Sequence, residues 1–159
     1  MSEQVVSALQ VRRVAFDLSS SPLHWIPDDP LSSHLINGIH LLLPAGELWF
    51  CRVYNKALPL VRDAQLRADV EAFIRQEAMH AQAHRKGEQW LADQGLDVLG
   101  YRERIDALFH QLLGDAPLGQ RWLQRRFLER HWLLARVGIV AAIEHFTGLL
   151  GDWCMNSDS

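Results

Sequence analysis

The chain has 159 residues, 16 lysines and arginines against 19 aspartates and glutamates, and a formal charge of −3. Hydrophobic residues at 48% and charged residues at 22% exclude a disordered chain. Without a Lys/Arg-rich run there is no basic patch for nucleic acid, and two cysteines, Cys51 and Cys154, exclude a disulfide scaffold or a cysteine-rich zinc site. Met1 to Gln10 lacks the charged-then-apolar pattern of a secretory leader, and no apolar stretch reaches the roughly 18 residues of a membrane span. The expectation is a reduced, cytoplasmic, single-domain protein with no nucleic-acid or membrane partner. Eight histidines and six tryptophans are the composition features that invite chemistry.

Residues 1–30 read as an N-terminal arm. Val11 to Asp17 alternates weakly, Ser19-Ser20-Ser21-Pro22 breaks it, and Pro27-Asp28-Asp29-Pro30 makes a second turn cluster. Residues 31–159 read as the helical domain. Ser32 or Ser33 is the expected cap of a helix beginning at His34 and running to about Leu60, with Pro44 either restarting or kinking it. A second helix is expected from about Asp63 to Asp93, because Leu66, Val70, Phe73, Ile74, Ala78, Ala81 and Leu91 recur at spacings of three and four. Gln94-Gly95 ends it. A third covers Gly100 to Leu113, before the break at Gly114-Asp115-Ala116-Pro117, and a fourth runs from near Leu118 to about Met155 with a bend near Gly138. No segment shows the alternation of a strand, so the expected fold is all-α, a helical bundle.

The sharpest chemical signal is Gln76-Glu77-Ala78-Met79-His80-Ala81-Gln82-Ala83-His84. On a helix, Glu77, His80 and His84 share one face with Phe73, so the face points to the core. A Glu-x-x-His pair pointing inward from a bundle helix is the arrangement used by carboxylate-bridged di-metal sites. A surface Glu–His pair is the plainer alternative. Glu47 lies among Leu43, Phe50, Cys51 and Tyr54, and Glu144 follows the apolar run Val137 to Ile143. A lone ionised carboxylate in such surroundings costs several kcal/mol unless it is paired or metal-bound. Arg52, Arg75 or Arg136 could pair with either. Three helices each delivering an inward glutamate favour metal, with His84 either a ligand or a group that holds one in place. His40 shares the Glu47 face only if the helix runs straight through Pro44, which is not expected. His24, His34, His110, His131 and His145 read as structural, as do Trp49, Trp90, Trp122, Trp132, Trp153 and the arginines of Gln120 to Arg126.

Leu43-Pro44-Ala45-Gly46-Glu47-Leu48-Trp49-Phe50 resembles an FPxGExxF element, Phe73 to His84 an FIxQExxHxxxH element, and Ala141 to Thr147 an AxEHFT element. All three belong to the bacterial family called "predicted metal-dependent hydrolase", related to the ferritin-like superfamily, and Val11-Arg12-Arg13 and His24-Trp25 are similar to its arm. The resemblance implies a helical metalloprotein with Glu47, Glu77, His80, His84 and Glu144 as ligand candidates. Members of that family continue further and carry a second Glu-x-x-His, whereas here Glu144 is followed at i+3 by Thr147. The bundle and the metal set are therefore expected to be incomplete in one chain, C-terminally truncated relative to the family.

Three functions are weighed. In a metal-dependent hydrolase, a divalent metal activates water and Glu47 and Glu144 serve as catalytic carboxylates. In a di-iron or di-manganese oxidase, the glutamate-rich set activates oxygen; such ligands suit iron or manganese better than zinc. In a truncated, non-catalytic relative, the apolar face left by an incomplete bundle would be covered by a second copy, giving a homo-oligomer. The substrate of either enzyme is an unidentified small molecule.

Overall fold

Proline 30, not His34, opens the first helix. The computed structural model describes Val11, residues 17–113 and residues 125–156. Among them are four α-helices, one short 3-10 turn at Leu58–Leu60, and no strand: α1 Pro30–Ala57, α2 Ala64–Asp93, α3 Val98–Leu113 and α4 Arg125–Asn156. The protein is all-α. The expected alternation over 11–17, the break at 114–117, the arginine run 120–126 and the side chains of His110, Trp122, Trp153 and Cys154 lie wholly or mostly outside the described residues.

The N-cap of α1 is Asp29, which takes the place expected for Ser32 or Ser33. Its Oδ1 accepts from Ser32 N at 3.0 Å and its Oδ2 from the Ser32 hydroxyl at 2.6 Å. An aspartate cap followed by proline at the first helical position satisfies the first turn better than a serine two or three residues later. Ser33 is used otherwise: its hydroxyl accepts from Ile26 N at 3.0 Å and donates to the Asp29 carbonyl at 3.1 Å, fastening the preceding loop to the helix. Asp28 turns that loop at a φ of 59°, a left-handed conformation that aspartate tolerates better than most side chains.

Pro44 does not end α1. Proline cannot donate to the carbonyl of His40 and its ring crowds that oxygen, a penalty of about 3 kcal/mol in a helix interior. The helix continues because the turn is held on both sides by packing, with Pro44, Ala45, Gly46, Glu47, Trp49, Phe50 and Val53 all buried. Phe109 of α3 sits 3.6 Å from where a Gly46 Cβ would stand.

α2 starts and stops where its sequence says it should. Asp63 Oδ1 accepts from Leu66 N at 2.7 Å. At the far end Gly95, at a φ of 91°, lets its own N–H reach the Ala92 carbonyl at 2.9 Å and Leu96 N reach the Leu91 carbonyl at 3.2 Å. α3 begins two residues before Gly100, and Asp97 Oδ1 accepts from Gly100 N at 3.1 Å.

The chain divides into two units, Met1–Pro117 and Leu118–Ser159. In the first, α1, α2 and α3 pack on one another as a helical bundle. Its core holds Trp49, Val53 and Leu91, each no more than 2% exposed, with Ala72 and Ala81 beside them. The rings of Tyr54 on α1 and Phe73 on α2 lie 4.9 Å apart. The second unit holds α4, which runs unbroken through Gly138. Within it Arg136 stacks 5.2 Å over the Trp132 ring. With Arg136 and Glu144 as the charges in its interior, the segment Arg130–Asp152, of 23 residues and mean hydropathy 1.6, is long and apolar enough by length and composition to cross a membrane.

Candidate metal centre

Three of the expected ligands meet between α1 and α2. One donor atom each from Glu47, Glu77 and His80 lies within 4.8 Å of the other two. Glu47 and Glu77 are buried, at 5% and 4% exposure. The Glu-x-x-His spacing on α2 sets His80 Nδ1 3.5 Å from Glu77 Oε1 and 4.0 Å from Glu47 Oε1. The uninterrupted α1 brings Glu47 to this point from the facing helix.

His84, one turn beyond His80, faces Glu47 with its Nε2 at 3.4 Å from Oε1. Its other nitrogen, Nδ1, lies 2.8 Å from His40 Nδ1. His40 was not expected here. It reaches the centre because α1 passes through Pro44, and sequence spacing alone identifies it once the helix is drawn unbroken: His40 and Glu47 are seven residues, two turns, apart.

Electrostatics favours the ligand forms. Burial lowers the pKa of His80 and of His40. Burial, aided by His40 and His80, lowers His84 to about 4. All three imidazoles are therefore neutral at physiological pH, as metal ligands must be. Cys51 reports the field from beside the cluster: burial first, then the charges of Glu77 and Glu47, push its thiol up to about 11. It donates to the Ile74 carbonyl at 3.5 Å and is not among the clustered donor atoms. Two buried carboxylates with neutral imidazoles in a negative field fit a divalent cation.

The hydrogen bonds outside the cluster matter for its protonation. The Gln76 amide lies 2.7 Å from His80 Nε2. The atom facing the ring is the amide nitrogen Nε2, which donates to His80 Nε2 and fixes the ring's orientation beside the carboxylates. His40 can orient His84 likewise, accepting from Nδ1–H and leaving Nε2 bare.

Glu144 lies on α4 in the second unit, half-buried, where the Thr147 hydroxyl donates to its backbone carbonyl at 3.1 Å. It joins no cluster among the described residues. His24 and His34 form an exposed pair, their Nε2 atoms 3.1 Å apart.

Comparison with known proteins agrees with this chemistry. Neither the curated proteins nor the solved structures give a match. The family described as "predicted metal-dependent hydrolase" matches residues 10–159, nearly the whole chain and every residue of the cluster. The chain belongs to the family of predicted metal-dependent hydrolases.

Proposed function

We propose that this protein hydrolyses a small-molecule substrate with a divalent metal held by Glu47, Glu77 and His80. The observation that carries the reading is the convergence of two buried carboxylates and a neutral imidazole, from two packed helices, within 4.8 Å. A divalent metal at such a site supplies Lewis acidity and lowers the pKa of water. Glu47 and Glu77 bring the negative charge that retains the cation. His80, oriented by Gln76, completes the set. Glu47 Oε1, within 3.4 Å of His84 Nε2, takes a proton from water and shares it with His84, and His40 holds the His84 ring in place.

The oxygen-rich donor set suits manganese or iron better than zinc. That preference also favours a second reading, an iron-dependent oxidase of the ferritin-like type, in which the same residues hold the metal.

Elemental analysis of protein grown with iron, manganese and zinc tests both readings. We expect bound metal in the natural chain and its loss in Glu77→Ala. A natural chain that holds no metal, or a Glu77→Ala variant that keeps it, overturns the assignment. Metal-dependent cleavage of ester or amide substrates, abolished by chelator, supports the hydrolase. An absorption band appearing when ferrous iron and air are added to the protein supports the oxidase instead.

A further inference from the structure

A cavity of about 810 Å³ lies in the first unit, walled by α1, α2 and the loop from Leu18 to Trp25. His84 belongs both to its wall and to the contact with Glu47, so the cavity abuts the metal centre. The loop is fastened to α1 through buried partners. Trp25 Nε1 donates to Asn37 Oδ1 at 3.1 Å, and Ile26 N donates to the Ser33 hydroxyl at 3.0 Å. Ser33 and Asn37 are 0% and 5% exposed, so water does not compete for these bonds. His24 directly precedes the two anchors, and His34 lies between their partners on α1. The fastening therefore brings the two histidines together at the surface.

Their Nε2 atoms stand 3.1 Å apart and their rings are nearly perpendicular, at 83°. Both residues are exposed, so water can serve each nitrogen and burial does not force them to meet. A straight N–H···N bond would hold the ring centres further apart than the 5.0 Å observed, so the nitrogens meet at an angle. A metal–imidazole bond is about 2.0–2.1 Å long, and two such bonds spanning 3.1 Å enclose roughly 100° at the ion. That angle lies between the right angle of a square-planar or octahedral ion and the tetrahedral angle. The donors here are nitrogen alone, whereas the buried centre is rich in carboxylate oxygen. Imidazole suits zinc, copper and nickel, and carboxylate suits manganese, so the two places select different ions.

We infer that His24 and His34 hold a second divalent cation, of the zinc, copper(II) or nickel class, which clips the loop wall of the cavity to α1. The clip is independent of the hydrolase reading and of the buried ion. With its other positions open to water, the clip ion washes out on dialysis, so dialysed protein retains metal at the buried centre alone.

The test adds zinc to the dialysed full chain and to its His24→Gln and His34→Gln variants, which alter exposed side chains and leave the fold intact. Excess manganese is present throughout, because it fills the oxygen-rich centre and competes poorly for imidazole. Calorimetry is expected to show one zinc per natural chain, with an affinity that falls by about tenfold or more in either variant. Amide exchange over residues 18–29 is expected to slow by about tenfold or more when zinc is added to the natural chain, and to stay unchanged in the variants. Zinc uptake that either substitution leaves unaltered overturns the site. Zinc that depends on both histidines yet leaves loop exchange as it was overturns the clip. Glu77→Ala is expected to lose the retained metal and keep this zinc. If Glu77→Ala abolishes this zinc as well, the ion belongs to the buried centre and the inference is overturned. A natural chain that retains no metal on dialysis yet takes zinc at the two histidines overturns the hydrolase reading and supports the clip.

Discussion

His84 joins the two halves of the site, and its burial has a price in acid. Its folded pKa of about 4 lies below the ordinary 6.5, so the unfolded chain takes up a proton that the folded chain refuses. Stability is therefore whole above pH 6.5 and is lost as pH falls toward 4, by at most about 3 kcal/mol with the side chain 21% exposed. Urea titrations of the metal-free protein across that window should show the loss, and His84→Gln should flatten it. Cys51 offers a second probe. Because Glu77 and Glu47 help hold its thiol near 11, adding a divalent metal should shift the pH profile of Cys51 alkylation downward in a Cys154→Ser background. An unmoved profile would place the metal elsewhere. At this scale much was readable in advance: Glu77 and His80 follow from spacing on one helix, and Glu47 from a carboxylate amid apolar neighbours. His40 was not, because the sequence shows a proline between it and Glu47 and does not show the packing that carries the helix across.

Among the elements, the helix ends were legible wherever a side chain caps a backbone directly. Asp63 and Gly95 mark both ends of α2, the helix that carries Glu77, His80 and His84. Asp63→Ala removes the acceptor for Leu66 N and should cost about 1 kcal/mol, measured as a lower denaturant midpoint with an unchanged slope. The start of α1 was harder to read, since the expected caps Ser32 and Ser33 both stand within four residues of Asp29 and both bond to it. The cavity was not legible at all. Its wall draws on the loop before α1, one turn of α1 and the C-terminal half of α2, and no local pattern announces that such segments meet.

For the molecule as a whole, composition and periodicity gave an all-α chain and the structure agrees, while the division into two units left no mark in the composition. The apolar α4 segment raises the question of a bilayer. Arg136 and Glu144 both fall well inside Arg130–Asp152. An arginine or acidic residue near a bilayer centre costs about 2.5–3.5 kcal/mol on insertion scales. We expect detergent phase partitioning to leave the protein in the aqueous phase. Recovery in the detergent phase would show that α4 tolerates lipid in spite of them.

The proline in α1 has one more consequence. Asn37 and His40 precede Pro44 and line the cavity, His40 also meeting His84 at the centre, whereas Glu47 follows it and belongs to the cluster. One helix thus carries two tasks on either side of a missing rung in its ladder. Hydrogen exchange should show this as faster amide turnover over residues 34–43 than over 47–53, with metal slowing the second stretch. Packing beyond the gap would then hold the metal-facing carboxylate still while the turns before it breathe.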